Sequence, residues 1–255
     1  MSDPIAEGDY ARKQIFCRSR VVAWSHGSRF RMAQRLASEA ATGGLLLDYG
    51  CGDGTFLALT HGLFRHAVGA DLDEALLEDC RRRLAGLPGL EFVSTASLDA
   101  PEHEGRYDAV TCMEVLEHCP DAERRRVLDG LARLAAPGGR VIVSVPIEIG
   151  PALVGKQACR AIAAWRGHGD YHHRETYTAR EIIAAALARP HLSRAQYTVQ
   201  TPGGSRAYCG HKGFDWRVVA RELRERFTVQ RQLYSPLGPA GPLMNSQVWF
   251  VCQVR

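Results

Sequence analysis

Apolar runs closed by an acid or a turn recur along this chain at intervals that fit alternating strands and helices. The first is Leu45-Leu46-Leu47-Asp48-Tyr49, which leads directly into Gly50-Cys51-Gly52-Asp53-Gly54. It reads as a buried parallel strand ending in a turn where no β-carbon crowds an approaching molecule. Thr55-Phe56-Leu57-Ala58-Leu59 opens a helix. His66 to Asp73 reads as a second strand ending in acids, followed by a helix from Glu74 to Leu84 with Asp73 as its N-cap. Leu90 to Ser94 and Tyr107 to Met113 supply a third and a fourth strand. A helix from Asp121 to Ala135 is expected to stop at Pro137-Gly138-Gly139, and Arg140 to Pro146 makes a fifth strand. Toward the C-terminus come an amphipathic helix from Phe214 to Arg226 and strands from Phe227 to Tyr234 and Ser246 to Val254. This alternation predicts an α/β fold with a doubly wound, mostly parallel sheet.

Two stretches fall outside that alternation. Residues 1–42 carry an aromatic and basic helical pattern (Tyr10, Ile15, Val21, Val22, Trp24, Phe30) and are expected to form a helical lid over a bound ligand. Residues 43–255 form the main domain, and an insertion at about 147–210 is too long for an ordinary loop, so it is expected to fold as a helical cap.

Composition narrows the class. A chain of 255 residues with 45% hydrophobic and 24% charged residues is expected to build one soluble core. No apolar run is long enough to span a bilayer, and Met1-Ser2-Asp3-Pro4 lacks the basic-then-apolar order of a signal peptide, so a cytoplasmic location is expected. Eight cysteines with no metal-ligand spacing read as reduced, mostly buried thiols. The net charge of +4 rests on arginine, with lysine only at 13, 156 and 212. Arg81-Arg82-Arg83 and Arg124-Arg125-Arg126 are expected to be solvated helix faces, and no long basic tract points to a nucleic-acid partner.

The glycine turn separates two cofactor classes. A dinucleotide fingerprint needs G-x-G-x-x-G, whereas here Thr55 follows Gly50, Gly52 and Gly54. Asp48 is expected at the mouth of the pocket, where its carboxylate would repel a pyrophosphate and favour a cationic ligand. Asp71 lies about 20 residues beyond the turn, where an acid at a strand end reaches ribose hydroxyls. The stretch resembles motif I of the class I S-adenosylmethionine-dependent methyltransferases, whose cofactor carries a sulfonium and an α-ammonium group. The element order resembles the same fold from about residue 43 onward, seven strands with one antiparallel strand near the C-terminus.

A second segment, Cys112-Met113-Glu114-Val115-Leu116-Glu117-His118-Cys119-Pro120-Asp121, resembles the E-V-L-E-H segment of the ubiquinone-biosynthesis-type O-methyltransferases and their small-molecule relatives. Together the resemblances imply S-adenosylmethionine as cofactor, held by Asp48, Gly50, Cys51, Gly52, Asp71, Leu72 and Met113, with His118 near the acceptor. Ala96 departs from the pattern, standing where an acid often meets the adenine amino group.

The implied reaction is methyl transfer to a small-molecule acceptor at a hydroxyl. The donor is already activated, so the enzyme must align the acceptor and remove its proton, a task suited to histidine. His118, His172, His173 and His211 are the candidates. Basic and aromatic residues of the insertion, among them Arg160, Trp165, Arg166, Tyr171, Arg174 and Tyr177, would suit an acidic or aromatic acceptor. Glu114, Glu117 and His118 also spell E-x-x-E-H. Some relatives, including small-RNA 3′-end 2′-O-methyltransferases, use this segment with a later histidine to hold a divalent metal. His172 or His173 would be that later ligand, but capping acids at a helix start are the preferred account, and no resident metal is expected. The alternatives are therefore a metal-assisted RNA 2′-O-methyltransferase and a non-catalytic methyltransferase-like subunit, the latter opposed by the intact glycine turn.

Overall fold

Leu46 and Leu47 of strand β1 (Leu45–Tyr49) are both fully buried but enter different hydrophobic layers, since successive strand side chains point to opposite faces. The layer around Leu46 is closed by α1 (Arg20–Ala41), α2 (Thr55–Leu59) and α3 (Glu74–Arg83), which contribute Leu36, Leu57 and Leu77. The layer around Leu47 is closed by α4 (Asp121–Leu134) and α6 (Trp216–Arg226), which contribute Leu128 and Leu223. A sheet covered on both faces needs strands that are apolar throughout, and that is the pattern visible in the sequence.

The structure is a computed structural model and describes residues 5, 7–17, 20–41, 43–157, 177–187, 194–201 and 204–255. Its main sheet has seven strands in the order β3-β2-β1-β4-β5-β9-β8. The strands β2 (His66–Asp71), β3 (Leu90–Ser94), β4 (Tyr107–Met113) and β5 (Ala135–Pro146) run parallel to β1. Strand β9 (Gln247–Val254) lies antiparallel between β5 and β8 (Phe227–Ser235), as expected for the C-terminal pair. The sheet reverses direction of winding beside β1, so the carboxyl ends of β1 and β4 open a crevice where ligands of such sheets bind.

Several local expectations need correction. Helix α4 ends at Leu134, and Pro137-Gly138-Gly139 lies inside β5. A residue before proline is pushed out of the helical region, and Ala135 is already extended at φ −70°, ψ 136°. Arg124 is only 3% exposed and forms two hydrogen bonds, of 2.7 and 3.0 Å, with Glu222 of α6, so this cluster is not a wholly solvated face. Arg83 is likewise buried, whereas Arg82 is the exposed residue of its run. Trp24 is exposed and packs into no core.

The insertion is not purely helical where it is described. It contains a helical segment over 151–157 and α5 (Ala179–Ala186), followed by an antiparallel hairpin of β6 (Gln196–Thr201) and β7 (Gly204–Cys209). Tyr177 is described, but Arg160, Trp165, Arg166, Tyr171, His172, His173 and Arg174 lie outside the described residues. The described cysteines are all free thiols and, apart from the half-buried Cys17, buried.

Candidate active site

The turn after β1 is stitched to the end of β2 by its backbone. The amides of Gly50 and Cys51 both donate to the Ala70 carbonyl, at 2.7 and 3.0 Å. Gly50 sits at φ +80° with Val115 packed where a β-carbon would stand, so both conformation and space demand glycine. Gly52, at φ +54°, faces open space instead, leaving its backbone accessible. The Asp71 carboxylate steers this turn: one oxygen accepts the Gly52 amide at 2.9 Å, and the other accepts Leu72 and Asp73 amides at 2.7 and 3.1 Å. Asp73 caps α3 through the amides of Ala75 and Leu76, as expected.

The turn opens into a cavity of about 340 Å³, whose lining includes Asp48, Gly50, Cys51, Gly52 and Met113. Asp71 and Leu72 do not line it, and Leu72 is half exposed. Asp48 was expected at the pocket mouth but is 2% exposed and forms part of the floor. Burial is the chief cause that pushes its carboxyl up to about 7; a hydrogen bond from Thr111 opposes the shift and the nearby charge of Asp71 adds to it. An acidic floor of this kind suits a ligand bearing positive charge.

Residues of the N-terminal stretch, among them Tyr10, Arg29 and Phe30, line the cavity, and the stretch is fastened by residues that sequence patterning did not single out. Asp53, 7% exposed, accepts the amide of Tyr10 at 2.9 Å and that of Ala11 at 3.3 Å. Gly8 approaches so closely that a β-carbon there would stand 2.5 Å from Asp53 Oδ2. Arg29 of α1 reaches over the cavity to Glu114, with Nη1 3.2 Å from Oε2.

Beyond Met113 the chain enters the segment resembling E-V-L-E-H. Glu114 has φ +57°, the one non-glycine residue with positive φ among the described residues. Such a conformation costs about 1–2 kcal/mol, and an observed outlier of this kind is a pointer to a functional site. Ser144 holds its carboxylate through a 3.2 Å hydrogen bond. Glu117 is fully buried and neither of its carboxylate oxygens has a hydrogen-bond partner. Burial, reinforced by the charge of Glu114, raises the Glu117 carboxyl well above the ordinary range.

His118 stands beside it, with Nε2 3.8 Å from Glu117 Oε1. Its Nδ1 lies 3.2 Å from the Cys209 carbonyl, an acceptor that assigns the ring proton to Nδ1 and leaves Nε2 unprotonated. Burial first, and the neighbouring His211 second, push His118 down to about 4, so its ring is neutral at pH 7. Tyr208 stacks on the ring at 4.5 Å and His211 meets it edge-on at 4.7 Å. His211 Nδ1 is in turn 3.8 Å from Glu148, which is 1% exposed and bound by Lys156 at 2.6 Å.

The structure thus brings His118 and His211 together; the expected alternatives His172 and His173 lie outside the described residues. Glu148, Asp53 and Arg29 escaped notice in the sequence. The available signal for Glu148 was an acid between Ile147 and Ile149 directly after an apolar strand.

A methyltransferase-domain family model matches residues 46–139. Over 114 residues the chain is 38% identical to a demethylmenaquinone methyltransferase of Clavibacter sepedonicus, covering 45% of this chain and 46% of that protein. Over 155 residues it is 32% identical to a ubiquinone biosynthesis O-methyltransferase of Xanthomonas oryzae pv. oryzae, covering 56% of this chain and 60% of that protein. The chain therefore spans about half the length of the curated relatives it matches. Among solved structures, magnesium protoporphyrin IX methyltransferase from Synechocystis PCC 6803 superposes with a TM-score of 0.54 at 17% identity, covering 99% of this chain and all of that one. The order of the seven-stranded sheet is that of the class I methyltransferase fold, and residues 46–139 match a methyltransferase domain.

Proposed function

We propose that the protein transfers the methyl group of S-adenosylmethionine to a hydroxyl of a small-molecule acceptor, with a quinone-type ring as the favoured acceptor class. The observation that carries this reading is the continuity of one cavity from Gly50 and Gly52 to Met113 and Glu114. It joins the glycine turn to the segment on which His118 stands. The names of the curated relatives, one of them an O-methyltransferase of ubiquinone biosynthesis, support the acceptor class.

In this reading Gly50, Cys51 and Gly52 bring backbone against the cofactor, Asp71 and Leu72 hold the ribose edge, Met113 meets the adenine, and Asp48 faces the positive end. The acceptor oxygen attacks the methyl carbon in line with the sulfur. The carbon–sulfur bond breaks, its electron pair stays on sulfur as S-adenosylhomocysteine, and the hydroxyl proton leaves to the group of imidazoles and carboxylates around His118. Binding alignment supplies most of the acceleration, because the sulfonium is already a good leaving group. Isothermal titration tests the assignment: S-adenosylhomocysteine should bind, and Asp71→Ala should weaken it. A purified, folded protein that takes up no S-adenosylhomocysteine refutes the assignment.

One observation favours a metal-assisted version of this chemistry. Among the described residues, Glu117, His118 and His211 offer ligand atoms that all lie within 4.8 Å of one another. Ligands about 2.1 Å from an ion stand up to about 4.2 Å apart, so small side-chain shifts would close the set. Glu117 fits such a role, since a buried carboxylate without hydrogen bonds is costly unless a cation accompanies it. His118 fits as well, because ligating histidines commonly donate their second ring N–H to a carbonyl, as Nδ1 does to Cys209. A bound divalent ion would supply Lewis-acid polarisation of the acceptor hydroxyl. Methyl transfer that persists unchanged after exhaustive chelation rules this version out.

A further inference from the structure

His118 serves the proposed chemistry, as a base or as a metal ligand, only through Nε2, so the ring must keep its proton on Nδ1. The Cys209 carbonyl accepts that proton at 3.2 Å, and His211 meets the ring edge-on at 4.7 Å. Both contacts come from a stretch remote from His118 in the chain. The two stretches are joined by a side chain that belongs to neither.

Arg194, two residues ahead of β6, is partly buried. Its Nη2 donates to the carbonyl of Glu117 and, at 3.4 Å, to that of Gly210. These are the residues immediately before His118 and His211. Among the described residues neither carbonyl accepts another hydrogen bond. Glu117 lies in the short 3₁₀ turn Leu116–His118, and late carbonyls of such a turn lack partners within it and carry partial negative charge. A guanidinium, a cation with donors in a fixed fork, suits two oxygens of that kind.

Arg194 is itself held in place. Its guanidinium lies over the Phe214 ring, 5.2 Å from the centroid. The Ala195 carbonyl accepts the Gly210 amide at 3.1 Å, so one short stretch grips Gly210 at both its amide and its carbonyl. Arg194 Nε is buried without a hydrogen-bond partner, a cost that a merely solvated arginine would not carry. The cavity at the glycine turn does not include Arg194 in its lining.

We infer that Arg194 is a positioning residue: by bridging the carbonyls of Glu117 and Gly210 it sets the spacing of His118 and His211 and keeps the His118 proton on Nδ1. This inference rests on the reading of His118 as the reacting imidazole. Without the bridge Gly210 and the adjoining Cys209 drift from the ring, and the proton can move to Nε2, where it blocks both roles.

Nitrogen-15 spectroscopy of the histidine rings in the intact protein tests this without any acceptor. With its signals identified by their loss in His118→Gln, wild-type His118 should carry its proton on Nδ1 near neutral pH. Arg194→Met keeps an apolar stem against Phe214 but has no donor, and should turn that pattern into a mixture of both tautomers. S-adenosylhomocysteine should still bind within about two-fold of wild type, because the cavity shares no partner with Arg194. In Arg194→Ala, added ethylguanidinium should restore the wild-type ring pattern; ethylammonium, a charge without the planar fork, should not.

Wild-type ring signals in Arg194→Met overturn the proposal, as does a wild-type protein whose His118 carries its proton on Nε2. Rescue by ethylammonium as complete as that by ethylguanidinium overturns the bridge in favour of charge alone. If both Arg194 variants lose the S-adenosylhomocysteine binding that wild type shows, Arg194 maintains the fold at large and the positioning role falls. A wild-type protein that binds no S-adenosylhomocysteine overturns the cofactor reading, while the ring signals still decide the role of Arg194.

Discussion

Thr111 donates its hydroxyl proton to the Asp48 carboxylate across 2.7 Å, between the neighbouring strands β4 and β1, with Thr111 fully buried and Asp48 2% exposed. One hydrogen bond offsets only part of the cost of burying the charge, and the carboxyl is pushed up to about 7 from 3.8. The folded state therefore keeps a proton that the unfolded state has already released at mid-range pH. By linkage, the stability tied to Asp48 is fully present below about 4 and is lost as pH rises toward 7. The loss is bounded at about 4 kcal/mol, from about 1.36 kcal/mol per unit. Urea denaturation should show a lower midpoint at pH 8 than at pH 5, and Asp48→Asn should flatten that slope. An unchanged slope in the variant would remove Asp48 as its source.

Asp71 uses both carboxylate oxygens on the backbone of the turn and its own strand end. Asp71→Asn should lower S-adenosylhomocysteine affinity by about 10-fold to 100-fold, as expected for losing a charged acceptor. The thermal midpoint should move little, because Asp73 still caps α3. Titration beside a melting curve separates the two effects, and a large fall in melting temperature without an affinity loss would count against ligand contact.

If a divalent cation sits between Glu117, His118 and His211, His211→Ala and Glu117→Gln should each weaken Mn²⁺ binding by at least about 10-fold. Electron paramagnetic resonance of free Mn²⁺ gives the binding curve without recourse to activity. Wild-type protein that leaves all the Mn²⁺ signal free argues for bare imidazole and carboxylate chemistry.

The Arg124–Glu222 pair joins α4 to α6 in a buried setting. Arg124→Ala leaves the Glu222 carboxylate with only the more distant Arg125, at 3.9 Å, and should cost up to about 3–5 kcal/mol in chemical denaturation. Replacing the pair together, as Arg124→Met with Glu222→Leu, should recover most of that loss. A double variant no better than the single one would show that helix packing, not charge, was lost.

The parts of this molecule that were legible in advance are those written in local patterns. β1, α2, β3 and β4 fall at their expected positions because apolar runs and glycine spacing are read within a few residues. The start of β5 was misplaced because Pro137-Gly138-Gly139 resembles a helix stop, while the register of neighbouring strands decides its role. Pairings between distant residues were not legible. Cys209 and His118 are 91 positions apart, and no periodicity in either stretch announces that a carbonyl of one orients the ring of the other. The family match ends at residue 139, so it too stops short of Glu148, Cys209 and His211.

The hairpin of β6 and β7 carries a consequence for how this enzyme could be altered. Tyr208 stacks on the His118 ring and the Cys209 carbonyl sets its tautomer, so in the proposed reading the hairpin that would border an acceptor is also the part that tunes the imidazole. Loops that only choose a partner can be exchanged between relatives like interchangeable nozzles. Here a transplanted hairpin would carry its own setting of the histidine, so acceptor range and turnover are expected to drift together under selection.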